Sequence, residues 1–124
     1  MSIEFFKKTF HEIIEGKNTP ESLDAEAYCF ALGQALHRIF DALGGIDQHR
    51  REFNYLTNPY LPADIRTLCI RILRFLKNTR NLLDFQDQQL MTTLDFLISQ
   101  EDIFLRSKID FKKCEEAFYA GLFW

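Results

Sequence analysis

Apolar positions along this chain recur every three to four residues almost throughout, which is the period of a helix with one face turned inward. Ile3, Phe6, Phe10, Ile13 and Ile14 keep this spacing up to Gly16, a plausible stop. Thr19-Pro20 offers an N-cap followed by proline at a first helical position, and the helix it opens is expected to run through Phe40 or Leu43, ended by Gly44-Gly45. A shorter helix is expected over 47–56. Asn58-Pro59-Tyr60-Leu61-Pro62 then reads as a rigid turn, because each proline disfavours helix in the residue before it. Pro62 can open a further helix carrying Ile65, Leu68, Cys69, Ile72, Phe75 and Leu76. Asn81 or Asp84 can cap the next, which holds Leu90, Leu94, Leu97 and Ile98, and a last helix starts near Asp110 with Phe111, Cys114, Phe118 and Leu122. The stretch 99–107 is the least clearly patterned. No run of alternating β-branched residues and no Asn-Gly or Asp-Gly hairpin turn competes with this reading. The expectation is an all-α fold, a compact bundle of five or six helices in a single domain spanning 1–124.

Two boxes stand out within this pattern. Tyr28-Cys29-Phe30-Ala31-Leu32-Gly33-Gln34-Ala35-Leu36 and Glu116-Ala117-Phe118-Tyr119-Ala120-Gly121-Leu122-Phe123 each place a glycine three residues after an aromatic, amid large apolar residues. Glycine inside a helix costs stability, so its presence there points to close packing against another helix.

Size and composition narrow the class. At 124 residues the chain can bury about two-thirds of its unfolded surface without a metal or disulfide staple. Its 15% aromatic content, with 13 Phe, supplies too much apolar area for a disordered chain. Cys29, Cys69 and Cys114 are widely spaced, odd in number and set among apolar residues, which reads as buried reduced thiols rather than a zinc site. No apolar run approaches the ~20 residues that span a bilayer, and the apolar stretch in Met1-Ser2-Ile3-Glu4-Phe5-Phe6-Lys7-Lys8 is too short for a signal peptide. A cytoplasmic location with no membrane partner is expected.

The net charge of −3 is unevenly distributed. Residues 1–36 carry three lysines against six acids, and 81–124 carry four cations against eight acids. Residues 37–80 reverse the balance, with eight cations against four acids. Most of that surplus is arginine, whose planar fork fits phosphate oxygens. At about 100° per residue, Arg66, Arg74, Lys77 and Arg80 share one broad face of the helix after Pro62, with Arg71 at its margin and Ile65, Leu68, Ile72, Phe75 and Leu76 opposite. A solvated polar face would account for such a stripe. Against that, no acid lies between Ile65 and Asn81 to supply a local partner, and Arg50 and Arg51 add charge just upstream. Arg50, Arg51, Arg66, Arg71, Arg74, Lys77 and Arg80 are therefore the candidate contacts to a nucleic-acid backbone, with Tyr55 and Tyr60 as rings that stack on bases or serve the core and turn instead.

Catalytic patterns are missing. His11-Glu12-Ile13-Ile14-Glu15 has the start of a metalloprotease helix without its second histidine. His37 and His49 have no Cys or Ser at a recognisable spacing, no glycine-rich phosphate loop exists, and Asp84, Asp87, Asp95, Glu101 and Asp102 read as a solvated face. No enzyme activity, cofactor, metal or small-molecule substrate is expected.

The chain resembles the small subunit of CRISPR type I (Cascade-type) effector complexes, a family that also occurs as the C-terminal helical domain of some large subunits. Phe30-Ala31-Leu32-Gly33-Gln34-Ala35-Leu36 is similar to the family's opening helix, Leu56-Thr57-Asn58-Pro59-Tyr60-Leu61 to the turn before its basic helix, and Glu115-Glu116-Ala117-Phe118-Tyr119-Ala120-Gly121-Leu122 to its final helix. The likeness covers about 28–123. It implies a non-catalytic subunit, stacked in copies beside other effector subunits, lying along the guide RNA–target DNA duplex and holding the displaced strand. The runner-up reading is a protein-binding module, an antitoxin or inhibitor, that meets a basic partner through acidic surfaces. The terminal aromatics Phe118, Tyr119, Phe123 and Trp124, like Phe5 and Phe6, can complete the core or anchor a neighbouring subunit.

Overall fold

The computed structural model describes residues 25–57, 65–82 and 88–123. The helix expected over 3–14, the turn containing Tyr60, and Trp124 lie outside them. Among the described residues there are six α-helices and no strand: α1 (Ala25–Ala42), α2 (Arg50–Thr57), α3 (Ile65–Leu82), α4 (Gln88–Ser99), α5 (Glu101–Arg106) and α6 (Phe111–Leu122), with a 3-10 turn (Ile46–His49) leading into α2. The protein is an all-α bundle.

α1 is the axis of the fold. Ten consecutive residues, 27–36, are buried, so this helix is covered on every side. Its sequence permits that, since Gln34 is the one polar side chain in the run, and a helix apolar all round belongs inside. Its C-terminus is set by Gly44 and Gly45, with φ of 109° and 105°. Gly45 N–H donates to the Phe40 carbonyl at 2.8 Å and Gly44 N–H to that of Asp41 at 3.2 Å, the paired bonds of a Schellman stop. The expected helix over 47–56 divides into the 3-10 turn and α2, and the least clearly patterned stretch contains α5. Asp110 caps α6, its carboxylate accepting from Lys113 N–H at 3.2 Å.

The most intimate pairing is α1 with α6, where the two glycine boxes meet reciprocally. A Cβ on Gly33 would overlap the Phe118 carbonyl oxygen and stand 2.8 Å from Leu122 N. A Cβ on Gly121 would overlap the Phe30 carbonyl oxygen and stand 2.9 Å from its carbon. Each box offers the carbonyl of its aromatic to the glycine of the other, so two helix backbones touch at both points.

Aromatic rings fill the remaining layers. Tyr28 of α1 stacks on Phe104 of α5 with centroids 4.4 Å apart, and its hydroxyl donates to the Leu97 carbonyl at 2.6 Å. Phe40 packs edge-on to Phe53 and face-on to Phe75, tying α1 to α2 and α3. Buried Thr57, Thr79 and Thr93 each donate to the carbonyl four residues back, so their hydroxyls are satisfied within their own helices. Of the terminal aromatics, Phe118 is in the core, Tyr119 is half-buried and Phe123 is 69% exposed.

The three thiols, remote in sequence, converge from α1, α3 and α6. Cys29, Cys69 and Cys114 are all fully buried and free. Hydrogen bonds with Cys114 and Cys69, together with burial, hold the Cys29 thiol well above the ordinary range. A raised folded-state pKa favours folding fully below the unfolded thiol value of about 8.5, and that contribution is lost as pH rises above it toward the folded value. We expect urea midpoints that fall on going from pH 7 to pH 10, and three thiols that react with an aromatic disulfide reagent after unfolding but not before. A native chain that yields all three thiols at pH 8 would contradict this burial.

Candidate nucleic-acid interface

α3 runs beside α2 on one side and the α4–α5 region on the other, and this placement sorts its cations. The solvent-facing line is Thr67, Ile70, Arg74 and Asn78, all exposed at three- and four-residue spacing. Arg66, Lys77 and Arg80 lie on one shoulder of that line and Arg71 on the other, all half-buried. The stripe read from sequence is thus divided, with Arg74 alone at its exposed centre.

Each shoulder cation has a partner within the fold. Lys77 forms an ion pair with Glu101 of α5, whose side chain is 18% exposed. Arg80 Nε donates to Asp95 Oδ1 of α4 at 3.1 Å. Arg66 Nη2 donates to the Ser107 carbonyl at 2.6 Å, and its guanidinium lies 5.8 Å from the Phe111 ring centroid. On the other shoulder, Arg71 Nη1 donates to the Tyr55 carbonyl at 3.2 Å and the guanidinium lies 5.2 Å from the Tyr55 ring centroid. Arg50 pairs with Asp47, both exposed. Arg51 and Arg74 are exposed and form no ion pair with a described residue.

Two of the acids read as a solvated face, Asp95 and Glu101, therefore neutralise α3. Their partners lie on other helices, beyond the reach of a local spacing rule. The structure also reveals cations that the net charge of the C-terminal third concealed. Arg106, Lys108, Lys112 and Lys113 are all exposed around the start of α6, where Arg66 joins them from α3. Asp110, the acid in the middle of that group, is engaged as the cap.

The two described histidines, His37 and His49, each contact a group nearby in sequence. His49 Nε2 donates to the Leu43 carbonyl at 3.0 Å, and His37 Nε2 lies 3.2 Å from Asp41 Oδ2 one turn on. Among the described residues no three His, Cys, Asp or Glu side chains are placed to hold a metal ion, and no helix is long and apolar enough to cross a membrane. A shallow groove of about 520 Å³ on α6 is lined by Lys112, Glu115, Glu116, Tyr119 and Ala120. The chain matches no family model, no curated protein and no solved structure.

Proposed function

We propose that this chain is a non-catalytic helical subunit of an RNA-guided CRISPR interference complex, lying along the guide–target duplex and supporting the displaced DNA strand through the α2–α3 surface. The observation that carries the reading is the cation arrangement there. Among the described residues Arg51 and Arg74 are exposed without ion-pair partners, and Arg71 lies on Tyr55 with one N–H committed to a carbonyl. An arginine has five N–H donors, so most of those on Arg71 stay available to a phosphate. Arg50 adds a surface pair that an anion can replace at little cost. Arg66, Lys77 and Arg80 position helices on this reading, and Arg50, Arg51, Arg71 and Arg74 make the backbone contacts.

The opening and closing boxes that carry the resemblance pack on one another through Gly33 and Gly121. A few weak contacts per copy suffice when copies align on a strand, because linked contacts add as avidity. The rival, a protein-binding module acting through acidic surfaces, is weakened by the engagement of Asp95 and Glu101 with α3.

The test is affinity capture of the tagged chain from its native host with RNA and protein both sequenced. Recovery of repeat-derived guide RNA with larger effector subunits is the expected result. A single protein partner without RNA would sink the proposal and return attention to the acidic rival.

A further inference from the structure

Five large apolar side chains are markedly exposed among the described residues: Tyr55, Ile70, Ile103, Phe111 and Phe123. Two of them, Tyr55 and Phe111, share a specific arrangement. Each ring has an arginine of α3 against it, Arg71 at 5.2 Å from the Tyr55 centroid and Arg66 at 5.8 Å from that of Phe111. Each arginine is also pinned to a backbone carbonyl beside its ring, that of Tyr55 itself for Arg71 and that of Ser107 for Arg66. The two pairs stand on opposite shoulders of α3, with exposed Thr67, Ile70 and Arg74 on the line between the shoulders. Yet Tyr55 remains 61% and Phe111 46% exposed.

We infer that this face of α3 is a track for single-stranded nucleic acid, with Tyr55 and Phe111 as two base-stacking platforms. The inference rests on the function proposed above and adds what the strand's bases do. An isolated exposed ring has no fixed orientation, whereas an arginine held by a carbonyl braces the ring and leaves it accessible to a base. A base is flat, apolar on its faces and polarisable, so it suits such a surface, and the phosphates on either side of it need cations close by. Arg51, four residues before Tyr55, and Arg74, three after Arg71, serve one platform. Lys108, next to Ser107, serves the other. A duplex keeps its bases stacked internally and cannot use the rings, so the track selects a single strand. It reads no sequence, because every base has a π face.

The experiment compares a labelled oligothymidylate with an abasic oligodeoxynucleotide of equal length and charge, by anisotropy at low salt, on the full 124-residue chain. The thymidylate should bind at least about fivefold more tightly than the abasic strand. Tyr55→Leu and Phe111→Leu, which keep apolar bulk but remove the ring, should each reduce that preference, and together they should abolish it. Tyr55→Phe should retain it. Circular dichroism confirms that the variants fold. Equal binding of both strands by the wild-type chain, weakened by Arg74→Glu, would overturn the stacking and leave the backbone-contact reading standing. An undiminished preference in the double leucine variant would overturn the assignment to these rings. Failure to bind either strand would overturn the inference, while the reading beneath it, which draws on the avidity of aligned copies, falls only if the capture experiment recovers no guide RNA.

Discussion

Gly121→Ala should cost at least about 2 kcal/mol of stability, and Gly33→Ala a similar amount, although alanine is the better helix former by about 1 kcal/mol at an exposed site. The reversal of sign comes from what a methyl group would meet. At Gly121 it overlaps the Phe30 carbonyl and crowds Gln34 N at 3.2 Å, and at Gly33 it overlaps the Phe118 carbonyl. Both obstacles are backbone, which no rotamer change can move. Relief requires α1 and α6 to separate, and that separation loosens a core containing Phe30, Leu36, Phe118 and Leu122, all fully buried. The two substitutions should also be non-additive. Once one alanine has spread the helices, the second meets less resistance, so the double variant should fall short of the sum by about 1 kcal/mol or more. Urea unfolding followed by far-ultraviolet circular dichroism measures all three. A Gly121→Ala chain as stable as the parent would mean that the helices do not cross this closely.

The same crossing shows which parts of the structure the sequence discloses. Residues 28–36 and 116–123 each advertise a close neighbour, because a glycine in an apolar helix has few other reasons to be there, but only the fold shows that the neighbour is the other box. The Gly44-Gly45 stop and the Asp110 cap were equally legible, since each is a local event with a residue type suited to it. α5 was harder to see because six residues give too little periodicity to separate a helix from a turn. The apolar surroundings of each thiol imply burial, but nothing in their spacing foretells that Cys29 meets Cys69 and Cys114. The candidate interface was legible only in outline. Periodicity gave the orientation of α3 well enough to collect its cations, yet Lys77 and Arg80 find Glu101 and Asp95 through tertiary packing. Conversely, the acidic balance of the last third hid Lys108, Lys112 and Lys113, which become a group with Arg66 only when α3 and α6 are placed side by side.

That division of the cations makes a sharp prediction, because two pairs of charge reversals that look equivalent in the sequence should have opposite effects. Arg51→Glu with Arg74→Glu alters exposed side chains that have no ion-pair partner among the described residues, so stability should change by no more than about 0.5 kcal/mol. On the proposed function, the same variant in the assembled complex would remove two phosphate contacts and place two negative charges in their stead. Target-DNA affinity should fall about tenfold or more at low salt, and the log–log salt slope should flatten by about 1.4, or 0.7 for each contact to a single strand. Lys77→Glu with Arg80→Glu should do the reverse. It leaves Glu101, with its side chain only 18% exposed, facing a like charge and deprives Asp95 of its partner, so α3 is pushed away from α4 and α5. A loss of about 1–3 kcal/mol is expected, while the salt slope of the fraction that still assembles should keep its parental value. The diagnostic quantity is the slope rather than the affinity, since an unstable variant also binds less but releases the same number of counterions when it does bind. If the Lys77 and Arg80 reversals flatten the slope and those of Arg51 and Arg74 leave it intact, the strand runs along the α4–α5 shoulder of α3, and the ion pairs seen there are the resting state of the binding surface.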